Sequence, residues 1–170
     1  KVMGQWEKAH PNFIFIGPSP IDYDNHVAFG ECVWEELCKF SLLKYKKQGV
    51  NKIGVIFNLD KHTEPGSHWV ALFIDDEKKK IYYFDSYGDE IPEEIEKFSS
   101  EVSRQSEKFG EKYEEITSKN RHQYGNSECG MYSLFFIVQL LKGTSHSTFE
   151  KFRIPDSKMT QLRKEFFNSQ

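Results

Sequence analysis

The segment HWVALFIDDEKKKIYYFDS, residues 68–86, carries the strongest indication of the fold. It holds two apolar, strand-like runs, 68–75 and 80–86, on either side of a polar stretch that is typical of a tight turn. A hairpin centred on Asp76 and Glu77 pairs residues whose numbers sum to 153, which places His68 opposite Asp85. Directly opposed residues share a face of the sheet, with Cβ atoms about 5 Å apart. The sequence therefore predicts that this carboxylate reaches this imidazole.

A second segment, CGMYSLFFIVQLL at 129–141, is apolar on nearly every side and predicts a central buried helix. Cys129 lies where a loop enters that helix, and the N–H groups and dipole of a helix N-terminus stabilise a thiolate. Gly130 leaves out a side chain where a substrate carbonyl must approach the Cys129 N–H. Gln123, six residues earlier in a polar loop, is a candidate oxyanion donor. Taken alone, Cys129 could equally be a small buried hydrophobic residue, and Gln123 a solvent-facing loop residue.

Together these residues supply a base, an orienting carboxylate, an oxyanion donor and a nucleophile. A thiol needs a neighbouring imidazole to lower its pKa, and the imidazole needs a third group to fix its tautomer. The simpler alternatives are a hydrogen-bonded strand histidine at His68 and a turn-capping carboxylate at Asp85. His62 is a rival base, which we rank lower because its flanks look like a solvated loop. We expect His122 to line the cleft without a catalytic role.

Elsewhere the pattern of apolar residues predicts an α+β protein. We expect a strand in 13–23 that runs into a proline-rich turn, a strand over 52–59 and another in 113–117. We expect helices over 31–47 and 91–110, and a last helix that begins at Asp156.

Length and composition limit the classes of function. The 170 residues form one predicted domain, 1–170, rich in aromatic side chains with 15 Phe, 8 Tyr and 3 Trp. A net charge of −3 gives no reason to expect nucleic acid or an anionic membrane as a partner. No apolar run approaches the roughly 18 residues of a membrane span, and no signal peptide is recognisable. We expect no metal or cofactor, because zinc-site spacings and phosphate-binding glycine loops are missing from the sequence. We also expect a monomer.

The three cysteines favour a reducing, intracellular setting over a disulfide framework. Cys32 and Cys38 lie six residues apart within a predicted helix, on different faces, and we expect both to pack in the core.

The motifs His68-Trp69, Asp85-Ser86, Gln123 and Glu128-Cys129-Gly130 together resemble the ubiquitin-like-protein-specific cysteine proteases, which include SUMO proteases and the adenovirus endopeptidase. The chain order, the 17-residue step from histidine to aspartate and the six-residue step from glutamine to cysteine are similar to theirs, over roughly residues 52–141. The resemblance implies a papain-like α+β fold in which a small mixed sheet packs on the helix that carries the nucleophile. It also implies a Cys-His-Asp triad of Cys129, His68 and Asp85, with Gln123 as oxyanion donor.

The same resemblance implies a specificity. Trp69 matches the aromatic roof of a narrow tunnel that admits little but glycine, so the expected cleavage follows Gly-Gly or Gly-Gly-X. Tyr23 and Trp34 are candidates for the second wall of the tunnel. The segment 17–23, GPSPIDY, looks more like the compact polyprotein-processing proteases of large DNA viruses than like eukaryotic SUMO proteases.

The expected partner is therefore a protein with a diglycine site, either a viral polyprotein or a ubiquitin-like modifier, in the host cytoplasm or the virion. The alternatives are an acetyltransferase of the same clan and a non-catalytic module that binds ubiquitin-like proteins.

Overall fold

The computed structural model describes residues 2–25, 31–60 and 68–167. The helices and strands of these residues are, in chain order, α1 (Val2–Ala9), β1 (Phe13–Pro20), α2 (Glu35–Cys38), α3 (Leu42–Lys47), β2 (Lys52–Asn58), β3 (Trp69–Asp75), β4 (Lys80–Phe84), α4 (Glu93–Glu107), β5 (Glu114–Thr117), α5 (Cys129–Leu141), α6 (Ser147–Lys151) and α7 (Asp156–Phe167). None of these helices is long and apolar enough to cross a membrane.

The five strands form one mixed sheet in the order β1-β2-β3-β4-β5. The central strands β2, β3 and β4 are antiparallel neighbours, whereas β1 pairs with β2 and β5 with β4 in parallel. Parallel neighbours need a crossover connection. Helices α2 and α3 make the first crossover and α4 makes the second, so each outer strand brings helices onto the sheet.

The β3–β4 hairpin forms, but its predicted register is wrong by two residues. Asp75 pairs with Lys80 and Ala71 with Phe84, so that four residues make the turn where the sequence analysis expects two. Asp75 explains the longer turn, because its Oδ1 accepts hydrogen bonds from the backbone N–H groups of Glu77 and Lys78, each at 3.0 Å. A carboxylate that binds its own turn in this way competes with a tighter hairpin.

Alternate side chains of the sheet enter two separate apolar cores. On β3, Val70, Leu72 and Ile74 face the core shared with α2, α3 and α4, while Ala71 and Phe73 face the core under α5, α7 and α1. Both faces of the central strands are therefore buried. Polar and apolar residues do not alternate along them, as they would in a sheet with one exposed face.

Helix α5 packs directly on the middle of the sheet. Ile137 lies over Gly54 of β2, and the rings of Phe136 and Phe84 stack with their centroids 4.5 Å apart. The hydroxyl of Ser133 donates a hydrogen bond to the carbonyl of Trp69 at 3.2 Å. The helix that begins at Cys129 is thus held at a defined position against β3.

The predicted helix over 31–47 is two short helices. Ser41 ends the continuity, because its side chain accepts the backbone N–H of Lys44 at 3.3 Å and caps α3 as a new helix. Cys32 precedes α2 in non-helical backbone and forms a disulfide with Cys38, with Cα atoms 6.2 Å apart. The disulfide contradicts the expectation that the two cysteines lie on different faces of one helix, whereas Cys38 is half-buried against the core, as expected.

Gly54 provides a test of how tightly α5 packs on the sheet. A Cβ at Gly54 would lie 2.8 Å from Cγ2 of Ile137 and 3.2 Å from the Phe13 ring, so Gly54→Ala forces the helix away from β2. We expect the free energy of unfolding to fall by about 1–3 kcal/mol, measured by urea denaturation. Gly4→Ala in α1 is the control, since a Cβ there meets no atom within 4 Å. An unchanged unfolding midpoint for Gly54→Ala would contradict this packing.

Candidate active site

Three chain segments meet at one end of the sheet. His68 immediately precedes β3, Asp85 immediately follows β4, and Cys129 is the first residue of α5. Since β3 and β4 are antiparallel neighbours, the start of one strand lies beside the end of the other. The packing of α5 on β3 brings the helix N-terminus to the same place.

His68 and Asp85 form a direct hydrogen bond. Nε2 of the imidazole lies 2.8 Å from Oδ1 of a carboxylate that is only 1% exposed. The backbone N–H of Tyr87 donates to the same Oδ1 at 2.9 Å. The contact survives the wrong register because a shift of two residues, the period of a strand, keeps both side chains on one face.

The other side of the imidazole meets the thiol of Cys129. The two side chains are hydrogen-bonded, and the backbone N–H groups of Trp69 and Gly130 also bind the sulfur. Burial raises the pKa of Cys129, but these three hydrogen bonds and the charge of His68 outweigh it and lower that pKa below its usual value. Burial lowers the pKa of His68, but Asp85 and Cys129 outweigh it and raise that pKa to about 9.

The two shifts have opposite signs, and they favour one charge state. A thiol with a lowered pKa beside an imidazole with a raised pKa holds its proton on the imidazole, as a thiolate–imidazolium pair. This pair exists above the pKa of Cys129 and is lost as the pH rises through about 9, where His68 releases its proton. The arrangement can therefore present a nucleophilic sulfur at neutral pH.

Gln123 is completely buried and is held by Ser86. Its Oε1 accepts the Ser86 hydroxyl at 2.6 Å, and its backbone N–H donates to the Ser86 carbonyl at 2.8 Å. Its Nε2 donates to the Gly125 carbonyl at 3.1 Å, which uses one of the two amide hydrogens. Ser86 thus sets the orientation of the amide, a task that the sequence analysis does not assign to it.

His122 does not line the cleft, contrary to the prediction. Its side chain is fully buried, Nε2 binds the carbonyl of Phe149 at 2.9 Å, and Nδ1 accepts the N–H of Ile154 at 2.8 Å. Burial lowers the pKa of His122, so the neutral ring ties the pre-nucleophile loop to the connection between α6 and α7. The rival base His62 lies outside the described residues.

A cavity of about 570 Å³ opens next to Cys129, at Trp69 and Gly130. It includes Trp69 and Gly130 together with residues of β1, α1 and α7, namely Val2, Met3, Gly4, Glu7, Phe15, Gly17, Pro18, Ile56, Met131, Leu134, Arg163 and Phe167. A Cβ at Gly130 would meet no protein atom within 4 Å. The missing side chain therefore leaves space in the cleft and is not required by packing.

The two candidates for a second tunnel wall lie elsewhere. Tyr23 is 4% exposed, packs edge-on against Phe98 and donates its hydroxyl to the Glu94 carbonyl at 3.2 Å. Trp34 packs against the same core, which is shared with α4. Neither residue lines the cavity. Tyr23 is therefore a core residue, whereas Trp34 is only half-buried and its role as a tunnel wall stays a prediction.

Tyr87 is a site residue that the sequence analysis overlooks. Its ring stacks on the His68 imidazole with centroids 4.7 Å apart, and its hydroxyl donates to the Gly125 carbonyl at 2.9 Å. It therefore touches both the base and the loop that carries Gln123. The chain turns here, with the N–H of Gly88 donating to the Asp85 carbonyl at 2.8 Å, so strand periodicity does not predict that Tyr87 faces the imidazole.

The fold and this site define the class of the papain-like cysteine proteases, as predicted. The crystal structure of the African swine fever virus protease matches with a TM-score of 0.81 at 26% identity, over 98% of this chain and 64% of that chain. The yeast Ulp1 protease domain, solved in complex with the SUMO ortholog Smt3, has the same fold, with a TM-score of 0.63 at 21% identity over 97% of this chain and 70% of that one.

The chain belongs to the Ulp1 protease family. The family model described as "Ulp1 protease family, C-terminal catalytic domain" matches residues 48–170. A thiol protease of Acanthamoeba polyphaga mimivirus is 34% identical over all of this chain and 55% of its own length. The cysteine protease of African swine fever virus is 30% identical over 98% of this chain and 64% of its own length. The chain thus spans between about half and two thirds of these relatives.

Alkylation tests the charge state of the thiol. Iodoacetamide without reductant should label Cys129 alone, because Cys32 and Cys38 are joined. The rate should reach its plateau at a pH well below the about 8.5 of a free cysteine, and His68→Ala should move that plateau to higher pH. Intact mass and peptide mapping give the site and the rate. Faster labelling of Cys32 or Cys38 would contradict both the disulfide and the stabilised thiolate.

Two substitutions separate the roles of Tyr87. Tyr87→Leu removes the ring from the imidazole, so the charged form of His68 loses a favourable π contact and the alkylation pKa of Cys129 should rise by about half a pH unit. Tyr87→Phe keeps the ring and removes only the bond to Gly125, so it should leave that pKa unchanged. Equal titration curves for the two variants would show that the stacking has no electrostatic effect.

Proposed function

We propose that this domain is a thiol endopeptidase that cleaves after diglycine-type sequences, Gly-Gly or Gly-Gly-X. Cys129 is the nucleophile, His68 the general base and acid, Asp85 its orienting carboxylate and Gln123 an oxyanion donor. The observation that carries the proposal is the unbroken contact from carboxylate to imidazole to thiol, with pKa shifts of opposite sign on His68 and Cys129.

In the proposed reaction, the Cys129 sulfur attacks the carbonyl carbon of the residue before the cleaved bond, which is the second glycine of Gly-Gly or X of Gly-Gly-X. The carbonyl oxygen becomes an oxyanion, stabilised by the Cys129 N–H and the second amide hydrogen of Gln123. His68 gives its proton to the departing amine as the C–N bond breaks and a thioester forms. Water then attacks the thioester, with His68 accepting its proton, and the sulfur leaves as thiolate.

The restriction to glycine rests on the cavity beside the nucleophile. Trp69 and Gly130 both line it, and a bulky indole beside the sulfur leaves little room for a Cβ on the substrate next to the cleaved bond. Gly130 has no side chain, which leaves space where the substrate backbone must come close to the protein. This selection is steric, so it needs no charged residue in the cavity.

The names of two relatives support a substrate class. One African swine fever virus relative is named a SUMO-1 cysteine protease, and yeast Ulp1 is seen bound to the SUMO ortholog Smt3. We infer that the partner is a protein with a diglycine site, either a viral polyprotein or a ubiquitin-like modifier. We also infer a monomeric enzyme. Its relatives in mimivirus and African swine fever virus support action inside an infected cell or virion.

Two electrophilic probes test this function. One carries the diglycine end on folded SUMO, the other on a short peptide, and intact mass reports an adduct on Cys129. Labelling by both or by the SUMO probe alone supports recognition of a folded modifier, and labelling by the peptide alone supports polyprotein processing. No adduct with either would overturn the diglycine proposal and leave the acyltransferase and binding-module alternatives.

Two variants are the controls for the probe experiment. Cys129→Ala should abolish the adduct. Gly130→Ala should keep its unfolding temperature, because its Cβ meets no protein atom, yet slow labelling by at least about tenfold, because a methyl group narrows the cleft. Labelling of Gly130→Ala at the wild-type rate would show that the substrate does not pass this residue.

A further inference from the structure

Cationic and aromatic side chains alternate in a line from the active site to the surface. The His68 ring stacks on Tyr87 with centroids 4.7 Å apart, and the Arg121 guanidinium lies over Tyr87 at 5.4 Å. Arg121 also lies over the Tyr124 ring at 4.5 Å, and Arg153 lies over the same ring at 4.4 Å. Tyr124 therefore contacts both guanidinium groups.

The outer part of this line is open to solvent. Tyr124 is 61% exposed, and Arg121 and Arg153 are also exposed. We call Arg121, Tyr124 and Arg153 the Arg–Tyr–Arg rim. Phe152, 63% exposed, directly precedes Arg153. A large aromatic ring in contact with two guanidinium groups at the surface is unusual for a surface that contacts only water.

The Nε atom of each arginine is bound to a backbone carbonyl. Nε of Arg121 donates to the Gln123 carbonyl at 2.9 Å, and Nε of Arg153 donates to the His122 carbonyl at 3.0 Å. Stacking uses the faces of a guanidinium and leaves the donors on its edge available for a carboxylate. The backbone bonds and the ring fix the direction of these donors, so little side-chain entropy is lost when an anion binds.

The acidic groups near the rim are already engaged. Oδ2 of Asp156, 3.8 Å from Arg153, accepts the N–H groups of Tyr124 and Gly125. The Glu128 carboxylate accepts the backbone and side chain of Ser127. In the described part of the chain, Arg121 has no carboxylate within ion-pair distance. Arg153 shares its charge with Asp156, so Arg121 is the cation of the rim that no carboxylate of the described residues neutralises, on a chain whose net charge is −3.

We propose that the Arg–Tyr–Arg rim binds an acidic segment of the protein substrate next to the diglycine. Aspartate or glutamate side chains of that segment pair with the outer donors of Arg121 and Arg153, and its backbone packs on Tyr124. The placement follows from the carbonyl of Gln123, to which Arg121 is bound, because a substrate that reaches the oxyanion donor lies beside this rim. This inference rests on the proposed function and names a second determinant of its specificity.

Four diglycine peptides test the rim. Two carry a run of three Glu residues, one before and one after the diglycine, and the other two carry Gln at the same places. The quantity measured is the ratio of kcat/KM for the acidic peptide to that for its neutral partner. At low salt the ratio should be about 3–10 on one side of the diglycine, as expected for two exposed charge pairs, and it should approach one at about 0.5 M salt.

Charge variants locate the effect. Arg121→Gln and Arg153→Gln should each lower the ratio toward one, whatever they do to kcat, because a general loss of activity cancels in the ratio. Lys44→Gln removes an exposed charge on α3 and should leave the ratio unchanged. Arg121→Lys should retain part of the preference, because the charge remains while the planar edge is lost.

The two proposals fail in different ways. If the neutral peptides are not cleaved, the diglycine function is wrong. If they are cleaved and the ratio is one on both sides, or if Lys44→Gln lowers the ratio as much as Arg121→Gln, the rim is not an acidic-segment site. In that case its arginines only support the loop that carries Gln123.

Discussion

The packing of α5 against β3 is the constraint on which the site depends. Cys129 and His68 belong to separate elements, and a displacement of about 1 Å between reacting groups is costly for catalysis. Gly54 lets Ile137 approach β2 closely, and Ser133 binds the carbonyl of Trp69, the residue after His68. The hydrogen bond from the Trp69 N–H to the Cys129 sulfur then joins the same two elements at the reacting atoms. The packing that holds α5 on the sheet therefore also sets the position of the Cys129 sulfur.

Two adjacent residues after β4, Asp85 and Ser86, hold two different parts of the site. Asp85 holds the imidazole, while Ser86 binds the loop before the nucleophile through its hydroxyl and its carbonyl. That carbonyl accepts the N–H groups of both His122 and Gln123, each at 2.8 Å. A substitution at Ser86 would leave the charge relation of His68 and Cys129 in place and would disturb the amide instead. Asp85 thus acts on the His68–Cys129 pair, whereas Ser86 orients Gln123, the candidate oxyanion donor.

The periodicity of apolar residues along the sequence predicts α5, β3 and β4. Helix α5 begins and ends where its apolar run does, and the alternation in β3 and β4 places His68 and Asp85 on one face even with the register wrong. The break between α2 and α3 depends on distant residues, since the N–H of Leu42 donates to the Gln105 side chain at 2.8 Å. The burial of His122 depends on α6, whose contribution to the loop no local pattern reveals.

Asp156, the first residue of α7, connects the last helix to the active-site loop. One carboxylate oxygen accepts the N–H groups of Tyr124 and Gly125, and the other accepts the hydroxyl of Tyr132 in α5. A nascent chain extended only to Leu141 has the cysteine, the histidine and the aspartate, but it lacks the group that shapes the loop around Gln123. On the ribosome, the hydrogen bonds that Asp156 makes to this loop can therefore form only after the start of α7 has emerged.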